Sequence, residues 1–265
     1  MQGGYRLQQI ASKKDLQKPV LSIITIVYNG APFIERTLKS VTEQTYANIE
    51  YIVIDGASRD NTLDIIKNYQ NNIALWQSEK DKGIYDAMNK GLQLATGDFV
   101  LFMNAGDCFY HPSTVESIFY ENSLADIYYG DALVVDNENK SLGPRRLRPP
   151  EVLTWKSFRM GMLVCHQSFI VKRSIAPLYN LNYKIAADID WCISCMKNAQ
   201  QIKNTHLFIS RYLAGGASWQ NLKKALAERF EIMHNHYGLL STIGSHIIIA
   251  LRIITQKIRG TKFTN

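Results

Sequence analysis

Four short polar segments of the sequence carry residue types that could bind a nucleotide. They are Tyr28-Asn29-Gly30, residues 55–60, Asp81-Lys82-Gly83 and Asn104-Ala105-Gly106-Asp107. The ring of Tyr28 could stack on a base, and the carboxylate of Asp55 could accept hydrogen bonds from a base or a ribose. Asp107 could bind a cation, because Mg²⁺ and Mn²⁺ prefer oxygen ligands and often take one or two protein carboxylates together with phosphate oxygens. These segments therefore predict a nucleotide site with a divalent cation at the diphosphate.

Strand and helix patterns alternate along the same part of the sequence, and each polar segment follows a predicted strand. Apolar runs rich in β-branched residues predict strands over 21–27, 51–54, 73–77 and 99–103. Helical periodicity predicts helices over 32–44 and 84–95, and a further helix that begins with Asp60 as its N-cap. This order predicts an α/β fold with a mostly parallel sheet, in which the carboxyl ends of the strands form one ligand-binding edge. Neither GxGxxG nor GxxxxGK[ST] occurs, so the sequence supports neither a dinucleotide dehydrogenase nor a phosphate-loop NTPase.

Composition and charge limit the class of protein. The 265 residues are 46% apolar and 20% charged, which is the balance of a globular protein with a sizeable core. Residues 19–196 contain 16 basic and 20 acidic side chains, whereas residues 197–265 contain ten basic and two acidic ones. An acidic middle does not suit a nucleic acid, and the basic C-terminal part carries mostly Ile and Leu rather than rings that stack on bases. We therefore expect no nucleic-acid partner.

Longer runs of the sequence resemble a known enzyme family. The runs are SIITIVYNGAPFIERTLKSVTEQTYANIEYIVIDGASRDNT, DKGIYDAMNKGLQLATGDFVLFMNAGD, CHQSF and AADIDW. They resemble the family-2 glycosyltransferases with the GT-A fold, most closely bacterial members that build surface polysaccharides, and they extend over about residues 20–215. The resemblance implies a single GT-A domain that transfers a sugar, with inversion at the anomeric carbon, from a nucleoside-diphosphate sugar to a hydroxyl of a glycan or a polyprenol-linked acceptor. It also implies a divalent cation, Mn²⁺ or Mg²⁺.

The resemblance assigns roles to individual positions in the first half of the chain. It places Val27, Tyr28 and Asp55 at the nucleoside and makes Asp107 the last residue of the metal motif. Asn104 stands where this motif often has a carboxylate, which bears on the affinity for the metal more than on its position. The donor site is also expected to contain Asn29, Ala105 and Gly106, which lie in the same segments.

The second half of the matching region supplies the acceptor side and the base. The resemblance places His166 and Gln167 near the donor and acceptor pocket, while a hydrogen-bonded histidine within a sheet is the competing interpretation. Asp188 matches the acidic motif of the family at the start of a helix and would take the proton of the acceptor hydroxyl. Ala187 replaces the usual first acid of this motif. An acid in the first turn also suits the helix dipole, and that role is compatible with catalysis.

Residues around the third predicted helix have two open interpretations. Asp86 and Asn89 lie one helical turn apart after Gly83, and they could face the ribose and diphosphate or form a solvated face. Lys82 could offset phosphate charge or be an exposed loop lysine. We include all four residues in the predicted donor site.

Two alternative functions remain beside sugar transfer. Cys192 and Cys195 form a W-C-x-x-C pattern, which is typical of thiol redox proteins. The nearby Asp188 and Asp190 would oppose a thiolate, so we expect these cysteines to be buried in a helix. The other alternative is a module that binds a nucleotide without catalysis.

The C-terminal region carries a basic amphipathic pattern. Residues 239–254 are apolar, but they are too few and too often interrupted to span a membrane. One helical face would carry Ile243, Ile247, Ala250, Leu251, Ile254 and Ile258, and the other Ser245, Arg252, Gln256 and Arg259. We interpret this helix as interfacial on an anionic membrane surface. Packing on the core of the protein or on a second subunit stays an alternative.

These patterns predict three regions along the chain. They are a flexible tail over residues 1–18, the GT-A domain over 19–215, and a C-terminal helical region over 216–265. No apolar core of a signal peptide precedes Pro19, and four cysteines are too few for a disulfide scaffold. We therefore expect a cytoplasmic protein, peripheral on the cytoplasmic face of the inner membrane.

Overall fold

The computed structural model describes residues 1–8, 15, 17–120, 125–215 and 221–258, without the side chains of residues 250 and 252–258. Ten strands form one sheet in this part of the chain. The strands are β1 (Gln2–Gly3), β2 (Leu21–Val27), β3 (Ile49–Asp55), β4 (Leu75–Ser78), β5 (Phe99–Phe102), β6 (Cys108–Phe109), β7 (Ile127–Val135), β8 (Ser141–Pro144), β9 (Phe169–Lys172) and β10 (Ile202–Leu213). Their order across the sheet is β1-β4-β3-β2-β5-β9-β7-β10-β6, and β8 pairs with β7. The central neighbours β4, β3, β2 and β5 run parallel, which confirms the predicted fold class.

Helices cover both faces of this sheet. They are α1 (Ala31–Thr42), α2 (Thr62–Asn68), α3 (Ile84–Leu94), α4 (Thr114–Ile118), α5 (Ala187–Asn198), α6 (Leu222–Tyr237) and α7 (Leu239–Ile258), with 3₁₀-helices at Trp155–Met160, His166–Ser168 and Arg173–Ile175. Helix α1 buries Ile34 and Leu38 in one apolar cluster, whereas α3 and α5 bury Met88 and Trp191 in another. All seven positions of β2 are buried, because side chains on both of its faces are covered.

The direction in which strands are added reverses at β2. The chain passes from β2 to β3 and β4 on one side and then returns to β5 on the other side of β2. The loops that follow β2 and β5 therefore flank the crevice in which open α/β sheets bind their ligands. The N–H of Met103 donates to the carbonyl oxygen of Ile24 at 2.9 Å, and the N–H of Ala105 donates to that of Ile26 at 3.3 Å. These bonds fix the segment after β5 beside the segment after β2.

Asp60 has a different position from the predicted one. Helix α2 begins at Thr62, and Asn61 occupies the N-cap position. Asp60 still accepts the N–H of Thr62 at 3.1 Å through one oxygen, and it accepts the N–H of Ala31 at 3.1 Å through the other. The side chain of Asp60 therefore joins the starts of α1 and α2.

The beginning of the predicted flexible tail is ordered instead, and the prediction is wrong for residues 1–8. Strand β1 pairs antiparallel with β4 and covers peptide groups that would otherwise lie at an open sheet edge. Arg6 forms an ion pair with Glu50 at 2.9 Å, and the carboxylate of Glu50 is only 2% exposed. A buried carboxylate needs such a partner, because removal from water penalises its charge. Residues 9–14 and 16 lie outside the described residues.

Helices α6 and α7 form a hairpin that packs against α5 and the 3₁₀-helix at 155–160. The rings of Phe230 and His246 lie 5.3 Å apart between the two helices. Ile232 of α6 and Thr242 of α7 are fully buried. The hairpin is therefore packed on the domain, while residues 216–220 and 259–265 of the predicted C-terminal region lie outside the described residues.

Candidate active site

Asp107 ends a tight turn that follows β5. Its N–H donates to the carbonyl oxygen of Asn104 at 3.0 Å, and Gly106 has a φ of 102° that glycine adopts without steric cost. The hydroxyl of Thr37 on α1 accepts the N–H of Gly106 at 2.9 Å and donates to the carbonyl oxygen of Asp107 at 2.7 Å. Helix α1 therefore fixes the backbone of the turn that carries the predicted metal ligand.

The carboxylate of Asp107 is buried and hydrogen-bonded through both oxygens. Its Oδ2 accepts from Nε2 of Gln167 at 2.6 Å, and its Oδ1 accepts the N–H of Leu213 at 2.9 Å. Burial raises the pKa of Asp107 to about 6, although these two hydrogen bonds and the charges of His166 and Arg36 act in the opposite direction. A nearby cation would favour the ionised form, because its charge offsets the cost of burial.

His166 connects this turn to the start of α5. Nδ2 of Asn104 lies 3.2 Å from Nε2 of His166, and Nδ1 of the same ring lies 3.6 Å from Oδ2 of Asp188. With the amide nitrogen as donor, Nε2 is the acceptor, so the proton of a neutral ring lies on Nδ1 and faces Asp188. The structure thus brings together three of the predicted site residues.

Asp188 lies in the first turn of α5, with 18% of its side chain exposed. Its Oδ1 accepts the N–H of Ile189 at 3.1 Å and the hydroxyl of Tyr85 at 3.3 Å. Burial raises the pKa of Asp188, but the hydrogen bond and charge of His166, the charge of Arg229 and the N–H of Ile189 together lower it below its usual value. The carboxylate is therefore ionised at neutral pH and can accept a proton.

Oxygen atoms at both ends of the turn over residues 104–107 suit a divalent cation. Oδ1 of Asn104 is buried without a hydrogen-bond partner, and it is an oxygen ligand of the type that Mg²⁺ and Mn²⁺ prefer. The Asp107 carboxylate is the second such donor. No group of three or more His, Cys, Asp or Glu side chains within the described ranges could hold a metal ion. The donors therefore fit a cation that takes its remaining ligands from a diphosphate and water.

Asp55 is the last residue of β3, and Tyr28 directly follows the neighbouring strand β2. The carboxylate of Asp55 is 1% exposed and accepts from the hydroxyls of Ser58 at 2.5 Å and Ser78 at 2.6 Å. The N–H of Asn29 donates to the same Ser58 hydroxyl at 2.7 Å, so this serine links the two loops. Tyr28 is 61% exposed, which leaves its ring free to stack on a base.

Asp81 is not among the predicted site residues, but its carboxylate faces the loop that carries Asp55. A Cβ placed on Gly56 would lie 2.4 Å from Oδ2 of Asp81 and 3.4 Å from Cβ of Tyr28. The N–H of Gly56 donates to the carbonyl oxygen of Val27 at 2.9 Å, while the side chain of Val27 is buried. The available signal was the position of Asp81 in one of the four polar segments, directly before two predicted donor residues.

Asn89 holds a backbone segment in place of the predicted contact with the donor. Its Nδ2 donates to the carbonyl oxygen of Tyr179 at 3.0 Å, and its Oδ1 accepts the N–H of Tyr179 at 2.7 Å. Asn89 is 8% exposed. The structure therefore assigns its amide a packing role.

Asp86 and Lys82 close the turn before α3. Oδ2 of Asp86 accepts the N–H of Lys82 at 2.9 Å and lies 3.9 Å from Nζ of Lys90. Gly83 supports this turn with a φ of 121°, and the side chain of Lys82 is exposed. Contact of these residues with a donor stays a prediction.

The environment of Cys192 and Cys195 argues against the thiol redox alternative. Both are buried free thiols, and burial raises the pKa of each well above its ordinary value. A redox motif needs a lowered pKa and access for its partner. These cysteines are therefore part of the apolar core.

Comparison with known proteins identifies a matching family and relatives of this chain. Residues 22–176, more than half of the chain, match the model of a family described as glycosyl transferase family 2. A PGL/p-HBAD biosynthesis glycosyltransferase of Mycobacterium bovis is 32% identical over 205 residues, which cover 73% of this chain and 77% of that protein.

Two solved structures share the fold. Residues 1–349 of S. aureus TarS, in complex with UDP-GlcNAc, match with a TM-score of 0.63 at 17% identity, over 92% of this chain and 76% of that one. The mannosyltransferase PcManGT from Pyrobaculum calidifontis, in complex with GDP-Man and Mn²⁺, matches with a TM-score of 0.58 at 14% identity, over 97% of this chain and 81% of that one. At these identities the two matches show a shared fold.

Proposed function

Because this chain belongs to glycosyl transferase family 2, we propose that it transfers a sugar from a nucleoside-diphosphate sugar to an acceptor hydroxyl, with inversion at the anomeric carbon. The observation that carries this proposal is the imidazole of His166, which lies between the turn that ends at Asp107 and the carboxylate of Asp188. The turn with Asp107 suits the leaving diphosphate, and the carboxylate of Asp188 suits the acceptor hydroxyl. The two lie on opposite sides of the His166 ring.

The donor is held at the carboxyl ends of β2 and β3. Tyr28 offers an exposed ring to the base, and Asp55 and Asp81 offer carboxylates to N–H or O–H groups of the base and ribose. TarS with UDP-GlcNAc and PcManGT with GDP-Man support a nucleotide sugar as the donor class. The loop residues Asn29, Lys82, Gly83, Ala105 and Gly106 complete the proposed donor site.

A divalent cation, Mn²⁺ or Mg²⁺, would be held by Asp107 and by the unpartnered Oδ1 of Asn104. When bound, it supplies positive charge to a leaving diphosphate. Gln167 orients the Asp107 carboxylate through its amide N–H. The Mn²⁺ in PcManGT supports this proposal.

Asp188 acts as the base. In a single displacement, the acceptor oxygen attacks the anomeric carbon, the bond from that carbon to the diphosphate breaks, and the hydroxyl proton moves to the carboxylate. The N–H of Ile189 and the proton on Nδ1 of His166 favour the ionised carboxylate before this transfer. One displacement inverts the anomeric configuration.

The proposed acceptor is a glycan or a lipid-linked saccharide in the synthesis of a bacterial capsule, exopolysaccharide or O-antigen. The name of the M. bovis relative, which refers to PGL/p-HBAD biosynthesis, supports a product of bacterial glycoconjugate synthesis.

We also propose that the chain rests on an anionic membrane surface, at the cytoplasmic face of the inner membrane. In the described part of the chain, no helix is both long and apolar enough to cross a membrane. Helix α7 directs Thr242 and Ser245 toward the protein, whereas Leu240 is 88% and Ile247 is 56% exposed. A helix that only covers a soluble core turns its apolar face inward. The apolar face of α7 is turned to solvent instead, which favours an interaction surface. The cations at 252, 257, 259 and 262 and the apolar side chains of Ala250, Ile254 and Ile258 lie outside the described side chains.

Turnover distinguishes this proposal from a nucleotide-binding module without catalysis. Calorimetry with UDP, GDP and dTDP, with and without Mn²⁺, first identifies the nucleotide. The matching donor sugars are then incubated with an extract of glycan and polyprenol-linked acceptors, and the product is examined by NMR. The proposal expects a new glycosidic bond of inverted configuration. A product of retained configuration, or tight nucleotide binding without any product, would contradict it.

A further inference from the structure

A carboxylate of the C-terminal hairpin is bonded to the backbone that enters α5. Oε1 of Glu228 accepts the N–H of Lys184 at 2.9 Å, and Oε2 accepts the N–H groups of Ile185 at 2.8 Å and Ala186 at 3.0 Å. Glu228 is 8% exposed, so these bonds form away from water. Three consecutive backbone donors therefore depend on one side chain of α6.

These donors lie immediately before the helix that carries Asp188. Ala186 occupies the N-cap position of α5, and no side chain caps that helix locally. The carbonyl oxygen of Ala186 accepts the N–H of Ile189 at 3.1 Å, which closes the first turn around Asp188. A negative charge beside a helix N-terminus is also favourable, because the helix dipole is positive there. Glu228 thus binds the N–H of the N-cap residue and the two N–H groups before it.

Other residues of α6 hold the same region from the same side. Nε2 of His236 lies 2.7 Å from Oδ1 of Asp190, and Nδ2 of Asn235 donates to the hydroxyl of Tyr183 at 3.0 Å. The charge of Arg229, next to Glu228 in α6, lowers the pKa of Asp188. The contacts of α6 therefore extend over the segment before α5 and its first turn.

We infer that Glu228 is a positioning residue for Asp188: its carboxylate fixes the backbone that enters α5, and through it the direction of the Asp188 side chain toward His166. This inference rests on the proposed role of Asp188 as the base. It gives the C-terminal hairpin a part in sugar transfer in addition to the proposed contact with a membrane. A small displacement of a base lowers the rate steeply, because proton transfer requires a short and well-oriented contact with the reacting hydroxyl.

The variant Glu228→Gln tests this role in the full-length chain. It keeps the size of the side chain but replaces one acceptor oxygen with an NH₂ group, which would face a backbone N–H. We expect kcat to fall about tenfold to a hundredfold while KM for the donor stays the same. Glu43→Gln makes the same chemical change at the end of α1, where the side chain is 54% exposed, and should keep the wild-type kcat.

Hydrogen exchange provides a second measurement that does not require turnover. In Glu228→Gln, the amides of Lys184, Ile185 and Ala186 should exchange faster than in the wild type, whereas the amides of β2 should not change. Unchanged exchange at β2 shows that the variant is folded.

The outcomes separate this inference from the proposed function. A folded Glu228→Gln variant with the wild-type kcat would overturn the positioning role, whether or not its amides exchange faster. A raised KM for the donor at unchanged kcat would overturn it as well, because the effect would then lie in donor binding. A wild-type chain that turns over no donor would refute the proposed function itself, and the positioning role would fail with it.

Discussion

Nδ1 of His166 lies 3.6 Å from Oδ2 of Asp188, and Nε2 of the same ring lies 3.2 Å from the amide nitrogen of Asn104. One imidazole therefore joins the first turn of α5 to the turn that carries Asp107. His166 therefore links the ionisation of Asp188, the proposed base, to the turn that ends at Asp107, where the leaving diphosphate is proposed to bind. Changes at His166 should consequently alter the pH dependence of the reaction as well as its rate.

The first prediction concerns His166→Ala. The variant loses the contribution of His166 that lowers the pKa of Asp188, so the effect of burial is less fully offset and this pKa rises. Because the base must be ionised, the fall in kcat on the acidic side should begin at a higher pH than in the wild type. A pH profile of kcat measures this shift. His206→Ala is the matched control, since that side chain is 64% exposed, and an acidic limb that does not move in His166→Ala would contradict the assignment.

The second prediction concerns Asp107→Asn. The amide has no charge for a cation, so binding of the nucleoside diphosphate should lose its dependence on Mn²⁺. Calorimetry with and without Mn²⁺ tests this, and excess chelator should have the same effect on the wild type. The exposed Asp64→Asn variant should retain the Mn²⁺ effect. Full activity of the wild type in excess chelator would show that basic side chains rather than a metal offset the diphosphate charge.

The third prediction concerns Asn89→Ala. The change leaves the N–H and the carbonyl oxygen of Tyr179 without their partner, and an unpaired buried polar group costs about 1–3 kcal/mol in the free energy of unfolding. Urea unfolding measures this loss, and the exposed Asn71→Ala variant should remain within about 0.5 kcal/mol of the wild type. Reduced donor affinity at unchanged stability would instead support the donor contact that the sequence suggested.

The fourth prediction concerns the exposed apolar face of α7. The double variant Leu240→Glu, Ile247→Glu places charges on side chains that are 88% and 56% exposed, so it should fold normally and lose sedimentation with vesicles that contain phosphatidylglycerol. Val152→Glu, at a position that is 74% exposed outside this helix, is the control. Added salt should weaken the binding of the wild type, because screening reduces the attraction of its cations. A wild type that ignores vesicles but dimerises through this face would favour a second subunit.

Much of the fold could be predicted from the sequence. β2 is a continuous apolar run, α1 and α3 have strong helical periodicity, and the alternation of such segments predicts a parallel sheet with one ligand-binding edge. β1 could not be predicted, because Gln2 and Gly3 carry no pattern and their pairing depends on the open edge of β4. The sequence therefore predicts a flexible tail, whereas residues 2 and 3 pair with β4.

The contacts of the candidate site were harder to predict than its position. Asn89 follows Asp86 by one helical turn. This spacing in the sequence is the same whether the side chain of Asn89 faces a ligand, water or the backbone of a distant segment. Its partner Tyr179 follows 90 residues later, and the contact between Glu228 and Ile185 spans 43 residues. Such contacts follow from packing between elements rather than from local sequence.

The comparison of wild type with Asp188→Asn tests the central claim most directly. Release of nucleoside diphosphate is measured in the presence of Mn²⁺, with the donor and acceptor that the turnover experiment selects, and donor affinity is measured in parallel by calorimetry. We predict that the variant binds the donor as tightly as the wild type and that its kcat is lower by about 10² to 10⁴, because a base acts on the acceptor hydroxyl only in the transition state. An Asp188→Asn variant with the turnover of the wild type would contradict the account and remove Asp188 from the mechanism.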